Sequence, residues 1–211
     1  MYALGFDSGQ PTDRRWRHCR YWSAADLPAS VREWLLDEGS LTARLVAASS
    51  GEFAVRVIDQ SWQRPLPDER RALGLREAGH ALVREVALIC HGAPWVFARS
   101  VLPAATLTGE LRHLRRFGAR SLGALLFAEP RLRREAFELA RIGPADPLIP
   151  ASLRGAAPAW GRRSVLRLQG KPLLIQEIFL PACRIGESTG PYNPGATARG
   201  HLCPACPSKT A

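Results

Sequence analysis

Apolar and polar positions alternate over two stretches, 81–103 (ALVREVALICHGAPWVFARSVLP) and 160–181 (WGRRSVLRLQGKPLLIQEIFLP). Each reads as a β-hairpin. Two runs rich in Val, Ile, Leu and aromatic residues flank a short turn, at His91-Gly92-Ala93 in the first and Gly170-Lys171-Pro172 in the second. Side chains alternate faces along a strand. Arg84 therefore shares a face with Val86, Leu88 and Cys90, Arg99 with Trp95, Phe97 and Val101, and Glu177 with Leu173, Ile175 and Phe179. The hairpins also share a spacing. Gly92-x-Pro94 and Gly170-x-Pro172 precede Leu102-Pro103 and Leu180-Pro181 at the same distance. Arg99 and Glu177 fall at one offset after their glycines, and Arg84 and Arg162 at one offset before them. Two similar units of one sheet, related by a pseudo-twofold, are expected.

Around them the pattern predicts helices. Leu27-Pro28-Ala29-Ser30 opens one, with Ser30 as N-cap three residues before Glu33, and with Val31, Trp34 and Leu35 on one face. Gly39 ends it, and Ser40 caps a second, with Leu41, Leu45 and Val46 inward. Residues 53–62 alternate as a strand, and 63–79 form a loop with a helical turn at 68–73. A helix from Thr108 to Phe117 carries Leu111 and Leu114 inward and stops at Gly118; 121–127 is a short apolar helix or a buried turn. Residues 131–141 fit helix by composition and strand by alternation. The four prolines of 143–158 impose a loop, and so long a loop is an insertion or a lid.

Composition narrows the picture. A chain of 211 residues with 46% hydrophobic content is the size of one domain with a sizeable core. Residues 1–13 read as a disordered lead, 14–185 as the domain and 186–211 as a disordered tail. No run reaches the roughly 18 apolar residues of a membrane span, and the N-terminus lacks the basic and apolar regions of a secretory signal. A soluble protein of the cytoplasm is expected. Its five cysteines, an odd number, do not form a disulfide framework. A net charge of +10 raises nucleic-acid binding. The arginines are nevertheless scattered, no nucleic-acid-binding signature is present, and a basic surface serves a small polyanionic substrate equally well.

Candidate chemistry is sparse. His201-x-Cys203-x-x-Cys206 offers three metal-ligand types where a structural zinc site needs four, so no metal site is expected. No Gly-x-Ser-x-Gly elbow and no Gly-rich phosphate loop before a helix occurs. What remains is Arg84, Arg99 and Glu177 on apolar sheet faces. They read either as a buried ion-pair network or strand-end arginines reaching solvent, or as a closed pocket. In that pocket arginine takes a carboxylate in a bidentate grip and the glutamate lies at the far end of a small apolar ligand.

At these residues the chain resembles the chorismate lyase family of bacterial ubiquinone biosynthesis. The resemblance is carried by WLLDEGSLTARL (34–45), LVREVALICHGAPWVFARSVLP (82–103), LTGELRHLRRFGARSLGALLF (107–127) and WGRRSVLRLQGKPLLIQEIFLP (160–181). It implies an α+β fold: a single antiparallel sheet of about six strands flanked by helices, with the ligand buried under flaps. It also implies a lyase without cofactor that takes chorismate to 4-hydroxybenzoate and pyruvate; apart from the resemblance, a monomer with no nucleic-acid or membrane partner is expected. Arg84 matches the family arginine for the ring carboxylate, and Glu177 the acidic residue near the ring hydroxyl. Leu41 and Leu122 match positions whose backbone meets the ligand carboxylate; Leu41 is commonly Met in the family. Arg99 is assigned to the second carboxylate, and the stretch from about Arg134 to a strand. The alternative is a non-catalytic ligand-sensing domain of the same fold, as in some transcription regulators. Those carry a helix-turn-helix domain, usually N-terminal, for which residues 1–13 are too short.

Overall fold

The computed structural model describes residues 16–76, 79–116, 122–127, 129 and 131–185. Its centre is an antiparallel sheet in the order β1-β6-β7-β8-β4-β3-β2, with β5 added beside β7. The strands are β1 (Arg17–His18), β2 (Phe53–Gln63), β3 (Ala81–Cys90), β4 (Ala93–Pro103), β5 (Arg133–Arg134), β6 (Glu138–Ile142), β7 (Ala159–Leu168) and β8 (Lys171–Phe179). Five of them, β2, β3, β4, β7 and β8, run nine residues or more and are the ones the alternation predicts; with β6 and the short β1 and β5 the sheet has eight strands rather than about six. The helices are α1 (Ala29–Leu35), α2 (Leu41–Ala48), α3 (Pro67–Leu73) and α4 (Leu122–Phe127). This is the expected α+β architecture. No helix among the described residues is long and apolar enough to cross a membrane.

Both hairpins form, and each closes on two residues with positive φ: His91 (48°) and Gly92 (72°), then Gln169 (52°) and Gly170 (77°). Such primed turns match the twist of the flanking strands. The second turn therefore lies one residue earlier than expected, and Lys171 and Pro172 begin β8. The hairpins differ in one respect. β7 and β8 pair without a break, Trp160 opposite Phe179 through Leu168 opposite Lys171. In β3–β4 the register shifts between Leu88, opposite Val96, and Ile89, opposite Pro94, so Trp95 is an extra residue in β4. Beyond such a bulge every side chain of the strand changes face relative to an unbroken pairing.

The two sheet faces are covered differently. On one, α1 and α2 pack on Val86, Leu88 and Ala98, while α4 and the 3-10 turns of Gly109–Arg115 pack on Leu82, Leu102 and Leu166. Leu111 and Leu114 point inward there as predicted. On the other face lie α3 and the proline-rich segment. Leu148, Ile149 and Leu153 of that segment are buried against Ala87, Phe97 and Ile178.

Several local expectations change. Pro28, not Ser30, is the N-cap of α1, since the helix already runs from Ala29. Ser40 does cap α2, accepting from the Ala43 N–H at 3.3 Å, but Val46 is exposed. The expected strand from Arg134 is two pieces, β5 and β6, separated at 135–137. The 1–13 lead, the 186–211 tail with His201, Cys203 and Cys206, and the Phe117–Gly118 helix end lie outside the described residues.

Candidate active site

A cavity of about 40 Å³ lies between the first sheet face and helices α2 and α4. A single water needs roughly 10–15 Å³ on this measure, so the space, which is partly open, has room for a few waters. Most of its wall is apolar, from Val86, Leu88, Leu126 and Ile175 among others. Five polar side chains enter it: Arg84 from β3, Ser100 from β4, Glu177 from β8, Arg134 from β5 and Thr42 from α2.

Register places them. Arg84 lies opposite Ser100, Ser100 opposite Ile175, and Ile175 opposite Ser164, which forms one row across four strands. Arg134 donates from Nη1 to the Ser164 Oγ at 2.9 Å, so its guanidinium comes in over β7. Its position is therefore three strands from the backbone of Arg84, roughly 14 Å at the usual strand spacing. Glu177 sits one pleat along on β8, between the two. The cavity is thus lined by two arginines carried on strands at its two sides and by a glutamate carried on a strand between them.

Burial makes the two cations expensive to keep charged. Arg84 is 2% exposed, and burial pushes its guanidinium below the ordinary range. For Arg134 burial is again the main cause, carrying the group down to about 10, with Glu177 pulling it up and Arg162 pushing it further down. A ligand carboxylate would relieve this cost by direct pairing.

Leu41 and Leu122 both line the cavity as the first residues of α2 and α4. First-turn N–H groups have no acceptor within their own helix. A backbone N–H at these positions can donate to an acceptor outside its helix.

Arg99 is not at the cavity, and its assignment to a second carboxylate is corrected. The bulge at Trp95 sets Glu85, not Arg84, opposite Arg99, and so turns Arg99 to the other sheet face. There Nε donates to Glu69 Oε1 at 2.7 Å, Nη2 to Glu69 Oε2 at 3.2 Å and Nη1 to Glu85 Oε1 at 2.5 Å. Burial pushes the Arg99 guanidinium down, but the two carboxylates outweigh it and hold it raised. In the unbroken second hairpin the equivalent offsets do meet: Arg162 lies opposite Glu177 and donates from Nε to its Oε2 at 2.6 Å. Glu177 is therefore paired by Arg162.

Two residues that matter here were not singled out from the sequence. Arg134 stands among Arg131 and Arg133, which are exposed, and nothing in the local pattern separates it from them. Glu69, fully buried, belongs to a stretch read as a charged loop. Its capping position was a usable signal, since its Oε2 accepts from the Leu66 N–H at 2.8 Å at the start of α3.

Comparison with known proteins bears on this geometry. The chorismate lyase family model matches residues 16–189, a span that contains every residue of the cavity. The chain belongs to the chorismate lyase family. A probable chorismate pyruvate-lyase of Azoarcus sp. (strain BH72) is 52% identical over 160 residues, covering 72% of this chain and 84% of that protein. Another, of Methylococcus capsulatus (strain ATCC 33009 / NCIMB 11132 / Bath), is 48% identical over 154 residues, 72% of this chain and 95% of its own. The C-terminal domain of a histidine utilization repressor from Pseudomonas syringae pv. tomato str. DC3000 aligns with a TM-score of 0.50 at 13% identity, over 67% of this chain and 99% of that one. That likeness shows a shared fold alone.

Proposed function

We propose that this chain is a cofactor-free lyase that converts chorismate to 4-hydroxybenzoate and pyruvate, the first step of the ubiquinone ring pathway. The observation that carries this, beside family membership, is that two arginines from separate strands and one glutamate from a strand between them line one largely apolar cavity. Chorismate has two carboxylates, one on the ring and one on the enolpyruvyl arm. Arg84 takes the ring carboxylate, helped by the first-turn N–H groups of Leu41 and Leu122. Arg134 replaces Arg99 as the residue for the arm carboxylate, because it is the second guanidinium that lines the cavity. Glu177 meets the ring hydroxyl.

The reaction is an elimination. The ring loses its C4 hydrogen as a proton, the C3–O bond breaks with its electron pair leaving on the enolpyruvyl oxygen, C3=C4 completes the aromatic ring, and the released enolpyruvate takes up one proton on its methylene carbon to become pyruvate. Aromatisation drives the step, so the protein has to orient and stabilise. Holding the ring so that the C4–H and C3–O bonds align lowers the barrier through orientation. A fixed cation beside the departing enolpyruvate stabilises its developing charge. Glu177 accepts from the C4 hydroxyl, and one of its oxygens stands ready for the C4 proton. The substrate is larger than the cavity, so α2 and α4 yield as it enters.

The test is incubation of the purified chain with chorismate in metal-free buffer, following 4-hydroxybenzoate and pyruvate together. Equal yields are expected, with kcat/KM reduced at least about 100-fold in Arg84→Ala, the loss of a charged hydrogen-bonding partner. Tight binding of 4-hydroxybenzoate without turnover would convert the reading to a ligand sensor. Neither turnover nor binding would remove it.

A further inference from the structure

Arg162 is among the largest fully buried side chains of the protein, 1% exposed, yet it does not line the cavity. Its donors run in two directions. Nε donates to Glu177 Oε2 at 2.6 Å. Nη1 donates to the carbonyl of Trp34 at 2.9 Å and to that of Asp37 at 2.8 Å. The Trp34 carbonyl belongs to the last turn of α1, where carbonyls lack partners within the helix. Asp37 lies in the link to α2, whose first residues, Leu41 and Thr42, wall the cavity.

That link is braced within itself. Arg44 donates to the Glu33 carbonyl at 2.6 Å and to Asp37 Oδ2 at 3.1 Å, and its guanidinium carbon stands 4.0 Å from the Trp34 ring centroid. The Gly39 N–H adds a bond to Asp37 Oδ1 at 2.8 Å. Residues 33–44 are therefore cross-braced, and Arg162 ties the braced segment to the sheet. The same guanidinium holds the carboxylate that faces the ring. With Oε2 engaged by Arg162, Oε1 is the oxygen left for the ligand.

We propose that Arg162 is a positioning residue of the reaction, setting the Glu177 carboxylate and the α1–α2 cover with a single guanidinium. This rests on the lyase reading above. Arg162 acts on turnover through Glu177, and on retention of the ring through the carbonyls of Trp34 and Asp37. A purely structural ion pair would serve stability alone and would not distinguish these two effects.

The experiment is a double-mutant cycle of Arg162→Met with Glu177→Ala in the full chain. It reads single-turnover rates with chorismate and the dissociation rate of 4-hydroxybenzoate by stopped flow. Arg162→Met is expected to slow turnover about 100-fold when Glu177 is present, but less than about threefold when it is already Ala, the coupling of groups that act as one. Release of 4-hydroxybenzoate is expected to be at least about tenfold faster in both backgrounds, because the tie to the cover is lost in both. Equal slowing in both backgrounds, or unchanged release, overturns the proposal. Should Arg162→Met fail to fold, Arg162→Lys carries the test. An ammonium can keep the Glu177 contact but lacks the fork for both directions, so turnover within about tenfold of wild type with fast release is expected, and unchanged release overturns it. A wild-type chain that binds 4-hydroxybenzoate but leaves chorismate intact fails the lyase reading itself, a result separate from additivity in the cycle.

Discussion

Arg84 and Arg134 have the same side chain but reach the cavity by different routes. Arg84 stands in the middle of β3, where the alternation of apolar residues already puts it on a buried face. Arg134 belongs to a two-residue strand, and its guanidinium is placed by Ser164 of a neighbouring strand and by the Phe137 ring, 4.9 Å away. Burial leaves Arg134 with the lower hold on its proton, at about 10. The sign of the consequence is direct. Below that pH the group is charged and takes the arm carboxylate; as pH rises through it, the charge and the affinity are lost. The KM for chorismate should be flat up to about pH 10 and rise up to tenfold per unit above it, well before an ordinary arginine would titrate. In Arg134→Gln it should already be raised about 10- to 100-fold, the range of a lost charged hydrogen bond, and stay flat through the same pH. Initial rates between about pH 8.5 and 11 would check both.

At the scale of elements, α3 is held to the back of the sheet by ions as well as by Leu73. Glu69 receives Arg99 through both oxygens and Gln176 through Oε1, and Arg163 links Asp68 of α3 to Glu138 of β6. Arg99 and Gln176 alternate along β4 and β8 with Ala98, Ser100, Ile175 and Glu177, which line the cavity on the opposite face. The back-face network therefore stiffens the strands that carry the site. Breaking a buried pair from one side leaves a charge without compensation, so Glu69→Ala should lower the unfolding free energy by about 3–5 kcal/mol. The exposed pair Arg167–Glu135, with side chains 47% and 48% exposed, supplies the contrast: Glu135→Ala should change stability by less than about 1 kcal/mol. Urea titrations of the two variants would measure the difference.

For the whole molecule, the excess of positive charge and the placement of the proline-rich segment are the features that bear on function. The net charge of +10 favours encounter with a dianionic substrate. Salt screens such attraction, so kcat/KM should fall several-fold, about three- to tenfold, between low and high ionic strength. The chemical step on bound substrate inside the cavity should be little affected, leaving kcat within about twofold. Rates at saturating and limiting chorismate over a salt series would separate the two. The 143–158 segment, expected as a lid, lies on the sheet face away from the cavity, with Leu148, Ile149 and Leu153 in the back core. The covers over the cavity are α2 and α4.

What the sequence determined by itself was local. The two-residue period of 81–103 and 160–181 specified the hairpins, the first turn lay at His91-Gly92 as read while the second fell one residue before Gly170-Lys171-Pro172, and the buried faces of Arg84 and Glu177 followed from their apolar neighbours two residues away. These depend on backbone geometry over a few residues. Only the tertiary structure decided the partners. Equal spacing around Gly92 and Gly170 implies equal facing, but the extra residue at Trp95 reverses the parity of β4, sends Arg99 to Glu69 and leaves Arg162 to hold Glu177. A bulge depends on how two strands pair, and Glu69 is buried and Arg134 half-buried by segments distant along the chain. Cross-strand register and packing between distant segments are set by the whole fold, so no window of the sequence contains them.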